Sequence, residues 1–337
     1  MPLIQLSPHL FTSLPAHPSL PPNPSRPELS QFITTALREA ISLLDTTIPS
    51  TLTADSKPRS SPPSHAKVKL LRGWRKPAGS DSNQARNGPG KGEFWVCRES
   101  QHVDSAASGT ASWEEFEDGL RQDHAKHEME YTPSVTGVER LLQWEGPELE
   151  TELEVEGVMY TDFEVEGKSK LFSLQSDHTH LPPRRADRAA LVLSLTISAR
   201  TSNKLDTEQE QQQQQSPPGF VTIQIPLHPD ASSTPTELHQ KIHSTVPRRT
   251  IFANYASVER VMSRRSSTQD SSSPETTSSG HVQWTMATTS DAGGSIPQWV
   301  QRNWTLGGVP RAVVADVGLF IGWTDQRRKK RGTTGSS

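Results

Sequence analysis

Only one cysteine, Cys97, occurs in the 337 residues. That count excludes an intramolecular disulfide framework and any zinc site built on several cysteines, and it favours a reducing compartment, so cytoplasmic residence is expected. Hydrophobic residues make up only 31% of the chain. No run approaches the length of a membrane span. The opening stretch MPLIQLSPHLFTSLPAHPSLPP has no basic n-region and is cut by prolines, so a signal peptide is not expected. Net charge is also small, at −3, which speaks against a generic polyanion binder and leaves no expectation of nucleic-acid binding. Neither H-E-x-x-H nor a Gly-rich phosphate loop after a strand is present, and no internal repeat stands out.

What the chain does have is polar filler. Its 27 prolines and its Ser, Thr and Gln tracts separate a smaller set of patterned segments. The expected organisation is a flexible Pro-rich N-terminus over 1–24, a single domain over 25–325, and a flexible basic tail over 326–337. Disordered insertions are expected near 46–66, 78–92, 203–217 and 263–280. Within the domain, Leu29, Phe32, Ala36, Ala40, Leu43 and Leu44 follow helical spacing after the start signal at Ser25 to Glu28, which predicts an N-terminal helix on the outside of a sheet. Leu191 to Ser198 and Val221 to Leu227 alternate as strands with one apolar face. A further strand runs from about Phe252 to Met262, with Tyr255, Ser257 and Glu259 on one face and Phe252, Ala256, Val258 and Met262 on the other. The pattern leaves open which face points inward.

The stretch His281 to Trp323 organises the rest. Val282, Trp284 and Met286 alternate with Gln283 and Thr285 as a half-buried strand. Asp291, Gly293 and Gly294 break it, Asp291 serving best as a turn cap, and Ser295 to Gln298 reads as a capping box with Pro297 in the first turn. Trp299, Val300, Trp304, Val313, Val317, Phe320 and Ile321 then predict a last helix over Ile296 to Trp323, interrupted around Gly307 to Pro310.

Strand, Gly-Gly turn and C-terminal helix in this order resemble the START family of lipid-transfer domains, on Gly293-Gly294-Ser295-Ile296-Pro297-Gln298-Trp299 and Gly308-Val309-Pro310. Tyr255-Ala256-Ser257-Val258-Glu259-Arg260, the tract Trp284 to Pro297, and Asp316-Val317 with Phe320 and Trp323 resemble more closely a fungal START-like family of unknown function, over roughly 92–324. The resemblance implies an α+β helix-grip fold, a curved antiparallel sheet wrapped around the last helix with an apolar cavity between them. It implies binding or transfer of a lipid or other hydrophobic molecule. Helix-grip relatives include polyketide cyclases, so an enzyme on an apolar substrate is the alternative, and a scaffold with a self-filled interior is another.

The cavity candidates are Tyr255, Ser257, Glu259, Arg260, Trp284, Met286, Val313, Val317, Gly318, Phe320 and Ile321. Ser257, Glu259 and Arg260 are read as polar anchors, or as an exposed charged strand face. The stripe Ala315, Gly318, Gly322 is read either as packing or as cavity wall. No catalytic residue, metal ligand or cofactor is expected. His124, His127 and Glu128 form H-x-x-H-E in the wrong order for a metal helix, and Cys97 reads as a small buried hydrophobe. Arg264-Arg265-Ser266-Ser267 resembles a kinase site, and Arg327 to Arg331 offers contact with an anionic membrane surface. A monomer is expected.

Overall fold

The computed structural model describes residues 2–76, 92–174, 186–201, 218–229, 234–264, 280–294 and 296–334. The expected insertions 78–92, 203–217 and 263–280, and the kinase-site pattern from Arg265 onward, lie almost wholly outside the described residues.

In chain order, α1 (Leu29–Ser42) continues through a π-helical turn (Leu43–Thr47) into α2 (Ile48–Thr51). Short strands β1 (Thr53–Ala54) and β2 (Arg59–Ser60) precede β3 (Lys67–Arg75) and β4 (Glu93–Val103). Helices α3 (Trp113–Phe116) and α4 (His124–Tyr131) flank a second π-helical turn, Glu117–Arg121. Then come β5 (Val135–Gln143), β6 (Leu153–Val155), β7 (Val158–Leu174), β8 (Ala186–Thr201), β9 (Pro218–Pro226), α5 (Thr236–Thr245), β10 (Ile251–Arg264) and β11 (His281–Asp291). Helices α6 (Gln298–Gln301) and α7 (Val309–Thr334) close the order.

The strands form one sheet, β1-β3-β4-β11-β10-β9-β8-β7-β5, with β2 on β3 and β6 on β7. Pairing is antiparallel except where β10 begins, at Ile251 to Ala253, alongside β8. The sheet curves about α7, which gives the α+β helix-grip arrangement. Strand alternation sends Leu193, Leu195, Ile223, Ile225 and Val258 to the outer face, where Phe32, Ala36, Leu37 and Ala40 of α1 meet them in one core. The opposite face packs Val261, Trp284 and Phe220 against Phe116 and against Val313, Val317, Phe320 and Ile321 of α7. The central strands are therefore buried on both faces, and the polar face read from β8 and β9 is not a solvent face. Ser194, Thr196, Thr222 and Gln224 are all buried on the α7 side.

Three expected boundaries are corrected. The N-terminal segment is packed, with Ile4, Phe11 and Leu14 buried in the outer core. Its prolines bar helix but suit an extended arm, and side chains take up the arm's backbone groups. The Glu39 carboxylate accepts from Leu3 N and Ile4 N at 2.7 and 3.0 Å, and Glu93 accepts from Leu6 N at 2.6 Å. Arg26 donates to the carbonyls of Phe11 and Leu14 at 2.8 and 2.9 Å.

Residues 46–66 are likewise built in. Ile48 and Leu52 are buried, β1 and β2 pair with β3, and Ser61 reaches α7. The expected basic tail continues α7 to Thr334, because Arg327 pairs with Asp118 at 2.5 Å and Arg328 with Glu115 at 2.6 Å across the turn after α3. The last helix itself begins at Val309. Gly307 lies at φ 75°, where glycine is favoured, and breaks it from α6. Trp299, expected in the apolar segment, is 65% exposed on α6.

Candidate functional site

The face of the sheet beneath α7 changes character along the strands. Near one end lie Trp284, Val261 and Phe220, and Phe320 fills the space above them, its ring centroid 5.3 Å from Trp284 and 5.0 Å from Phe116. One register step along, Arg98, Met286, Glu259, Thr222 and Thr196 stand side by side on five adjacent strands. The next row is Val96, Thr288, Ser257, Gln224, Ser194 and Glu166. The interior expected to be apolar is thus polar over two successive rows. Its apolar counterparts on the same strands went to α1.

At the centre is an ion pair. Arg98, 1% exposed, places Nη2 3.2 Å from Glu259 Oε1, and that oxygen also accepts from Trp284 Nε1 at 2.7 Å. The Arg98 guanidinium stacks 3.8 Å from the centre of the Trp284 ring, a cation–π contact. Among the described residues, the Arg98 Nε and Nη1 groups find no hydrogen-bond partner, and neither do Thr222 Oγ1 and Gln224 Oε1. Buried polar groups left so are costly and mark a place where a polar partner is favoured.

A second cluster faces the same space from α4, β7 and α7. Lys170 meets Glu128 at 2.6 Å. Burial works to raise Glu128, but Lys170, His124 and Lys168 outweigh it and hold the carboxyl below its ordinary range. Asp316 stands on α7 with its carboxyl pushed up to about 7, by burial first, opposed by Arg98 and reinforced by Glu128 and Glu259. Tyr131 is raised well above its usual value by burial and then by Glu128, Glu259 and Asp316. Tyr255 is raised too, chiefly by burial, although hydrogen bonds with Ser257 and Thr288 oppose this. Asp316, Tyr255 and Glu128 are half-buried.

The sequence-derived candidates divide accordingly. Tyr255, Ser257, Glu259, Trp284 and Met286 lie on the α7 face, which settles which face of β10 turns inward. Arg260 does not join them. Alternation turns it to the outer face, where it binds Asp45 at 2.6 and 2.8 Å. Val313, Val317, Phe320 and Ile321 are buried in the packed end.

Gly318 is not a cavity wall. A Cβ there would lie 2.7 Å from Ser61 O and closer still to Pro62 O, while Ser61 Oγ accepts from Gly318 N at 2.8 Å and donates to Val314 O at 2.6 Å. Gly322 faces Pro63 less tightly, where a Cβ would lie in ordinary contact 3.4 Å from the ring. The small stripe thus seats the 61–63 segment on the helix. Sequence reading missed Arg98, Asp316 and the Glu128–Lys170 pair as members of the site. Asp316 stood within a quoted motif, but a lone helical aspartate gives no sign of what it faces.

Other motifs resolve into local contacts. His127 stacks on Trp323 at 5.2 Å, whereas His124 has Nδ1 2.7 Å from Leu120 O and Nε2 3.8 Å from Glu128, so the two histidines turn to different partners. Cys97 is buried and its thiol is pushed up to about 12 by burial, then by Glu99. Asp291 accepts from Gly293 N at 2.9 Å, as a turn cap does. On the far side of the sheet, a groove of about 520 Å³ runs between the arm and α1, lined by Leu3, Pro8, Leu10, Phe32 and neighbours. His9, its titratable group, has its ring 3.0 Å from Leu3 O.

The family described as a protein of unknown function, DUF3074, matches residues 95–324. The chain belongs to this family. The matched span begins in β4 and ends in α7, so Arg98, Glu259 and Asp316 are all DUF3074 positions, whereas the arm, α1 and β3 precede it. No curated protein matches. Among solved structures, human STARD10 aligns with a TM-score of 0.41 and 11% identity, covering 93% of this chain and 86% of that one. Among the described residues, no helix is long and apolar enough to cross a membrane.

Proposed function

We propose that this DUF3074 protein binds a lipid or another hydrophobic small molecule between its sheet and α7, without reacting it. The observation that carries this reading is the pair of polar rows on β4 and β8 to β11 beneath α7, beside which Tyr255, Asp316 and Glu128 are only half-buried. An apolar wall on one side, from Phe320 and Trp284, and unpaired polar groups on the other suit an amphiphile with one polar end. The reading is of a cytoplasmic monomer that carries or sequesters its ligand. The exposed end of α7, Lys329 to Arg331, is the part proposed to meet an anionic membrane surface. Native mass spectrometry of gently purified protein, with analysis of its organic extract, tests the reading. A bound species that passes into the organic phase is expected; a bare protein mass, with no uptake of a fluorescent lipid afterwards, would refute it.

One observation favours a second reading, an enzyme of the polyketide cyclase kind. Asp316 titrates near neutrality among Tyr131, Glu128 and Arg98, as a general acid or base should. Conversion of the extracted molecule on prolonged incubation, lost in Asp316→Asn, would select that reading over carriage.

A further inference from the structure

Of the chain's eight tryptophans, all but Trp74, Trp299 and Trp304 are buried. Those three gather around the connection between β11 and α7. Trp299 and Trp304 belong to it, and Trp74 of β3 lies under its Arg302, whose guanidinium stands 4.1 Å from the Trp74 ring centre and 5.6 Å from that of Phe94. Arg59 of β2 covers Trp304 in the same manner, 4.6 Å from its centre. Trp299 carries no such cover. At 65% it is the most exposed large apolar side chain among the described residues, and Leu306, farther along the same connection, is exposed too.

The charge around these side chains has one sign left over. Asp55 is taken by Arg59 and Arg72, at 2.5 and 3.0 Å. Asp291 accepts from Gly293 N, and Glu93 accepts from Leu6 N and Trp95 Nε1. Among the described residues, Arg302 forms no ion pair, nor does Arg311, exposed in the first turn of α7. We propose that the β11–α7 connection is a membrane-docking surface, on which Trp299 and Leu306 enter the interface of an anionic bilayer while Arg302 and Arg311 meet its headgroups. An indole, apolar in body with one N–H, suits headgroup depth, and arginines beside it add attraction to anionic lipid. A bilayer takes up such side chains without the matched surface that a protein partner would need. The surface is distinct from Lys329 to Arg331, which lie about 30 Å farther along α7 at 1.5 Å per residue. It does not depend on what the interior binds.

The test is sedimentation of the full chain with phosphatidylcholine vesicles prepared with and without phosphatidylserine. The protein should partition onto the anionic vesicles and only weakly onto the neutral ones. Trp299→Ala should weaken partition about tenfold, and Arg311→Gln about fivefold, with thermal unfolding unchanged because both side chains are exposed. Chain-brominated lipid should quench wild-type tryptophan fluorescence, and less so in Trp299→Phe, which keeps an apolar side chain and removes the reporter. Neutralising Lys329, Lys330 and Arg331 together should leave the Trp299-dependent quenching in place. Absence of partition onto anionic vesicles would overturn the proposal, as would partition indifferent to Trp299→Ala. So would a dimer in solution that disperses in Trp299→Ala without any vesicle binding, which would mark the face as a contact between copies of the chain.

Discussion

Glu259 and Arg260 are adjacent in sequence and end on opposite faces of the sheet, one under α7 beside Arg98, the other outside on Asp45. Removing Glu259 strands Arg98, which is 1% exposed and whose Nε and Nη1 find no hydrogen-bond partner among the described residues. Glu259→Ala should therefore cost about 3–5 kcal/mol in denaturant unfolding, since an uncompensated buried charge remains. Arg260→Ala breaks a partly exposed pair and should cost about 1 kcal/mol or less. Equal losses at the two positions would contradict the facing described for β10.

Asp316 supplies the pH dependence at this scale. Its folded value is raised to about 7 from 3.8, so between those values the folded state holds the proton more firmly than the unfolded state. Stability from this group is full below 3.8, falls as pH rises through the window to about 7, and is level above it. Asp316→Asn should flatten that part of the curve. A variant with the same slope as the wild type would assign the slope to another group.

At the scale of elements, α7 and its neighbours show what periodicity reveals and where it stops. The apolar spacing of Val313, Val317, Phe320 and Ile321 announced a buried helix, and the alternation in β8, β9 and β11 announced strands, because each face meets a single kind of neighbour. The arm over residues 2–24 and the segment 46–66 have no periodicity, since both follow extended or turning paths held by side-chain bonds from far along the chain. Proline and serine there read as disorder for that reason. The polar inner rows were legible as alternation but not as an interior, because a serine or threonine face under a helix is written like one under water.

Gly318 makes the same point from the helix side. The small residue is there for Ser61 and Pro62, which approach α7 from 257 residues away in sequence at the Gly318 N–Ser61 Oγ contact. Gly318→Leu should overpack that seam and cost about 1–3 kcal/mol or more by thermal unfolding. A variant as stable as the wild type would reopen the cavity-wall reading. Truncating Phe11, fully buried in the arm, to alanine should cost about 3–5 kcal/mol, whereas a flexible arm would lose almost nothing.

On the scale of the whole molecule, the sheet is a partition with an apolar core on one side and a partly apolar, partly polar packed face on the other. The arm and α1 secure the first side, and α3, α4 and α7 close the second. Two places compete for a ligand in this arrangement, the groove between arm and α1 and the proposed site between the sheet and α7. Crosslinking with a lipid analogue bearing a photoactivatable group on its chain, followed by peptide mapping, distinguishes them most directly. Crosslinks should fall on β8 to β10 around 192–198, 222–226 and 253–259, and on α7 around 309–320. Crosslinks confined to Leu10, Phe32 and the rest of the outer groove, or none above background, would contradict the assignment of the interior as the ligand site.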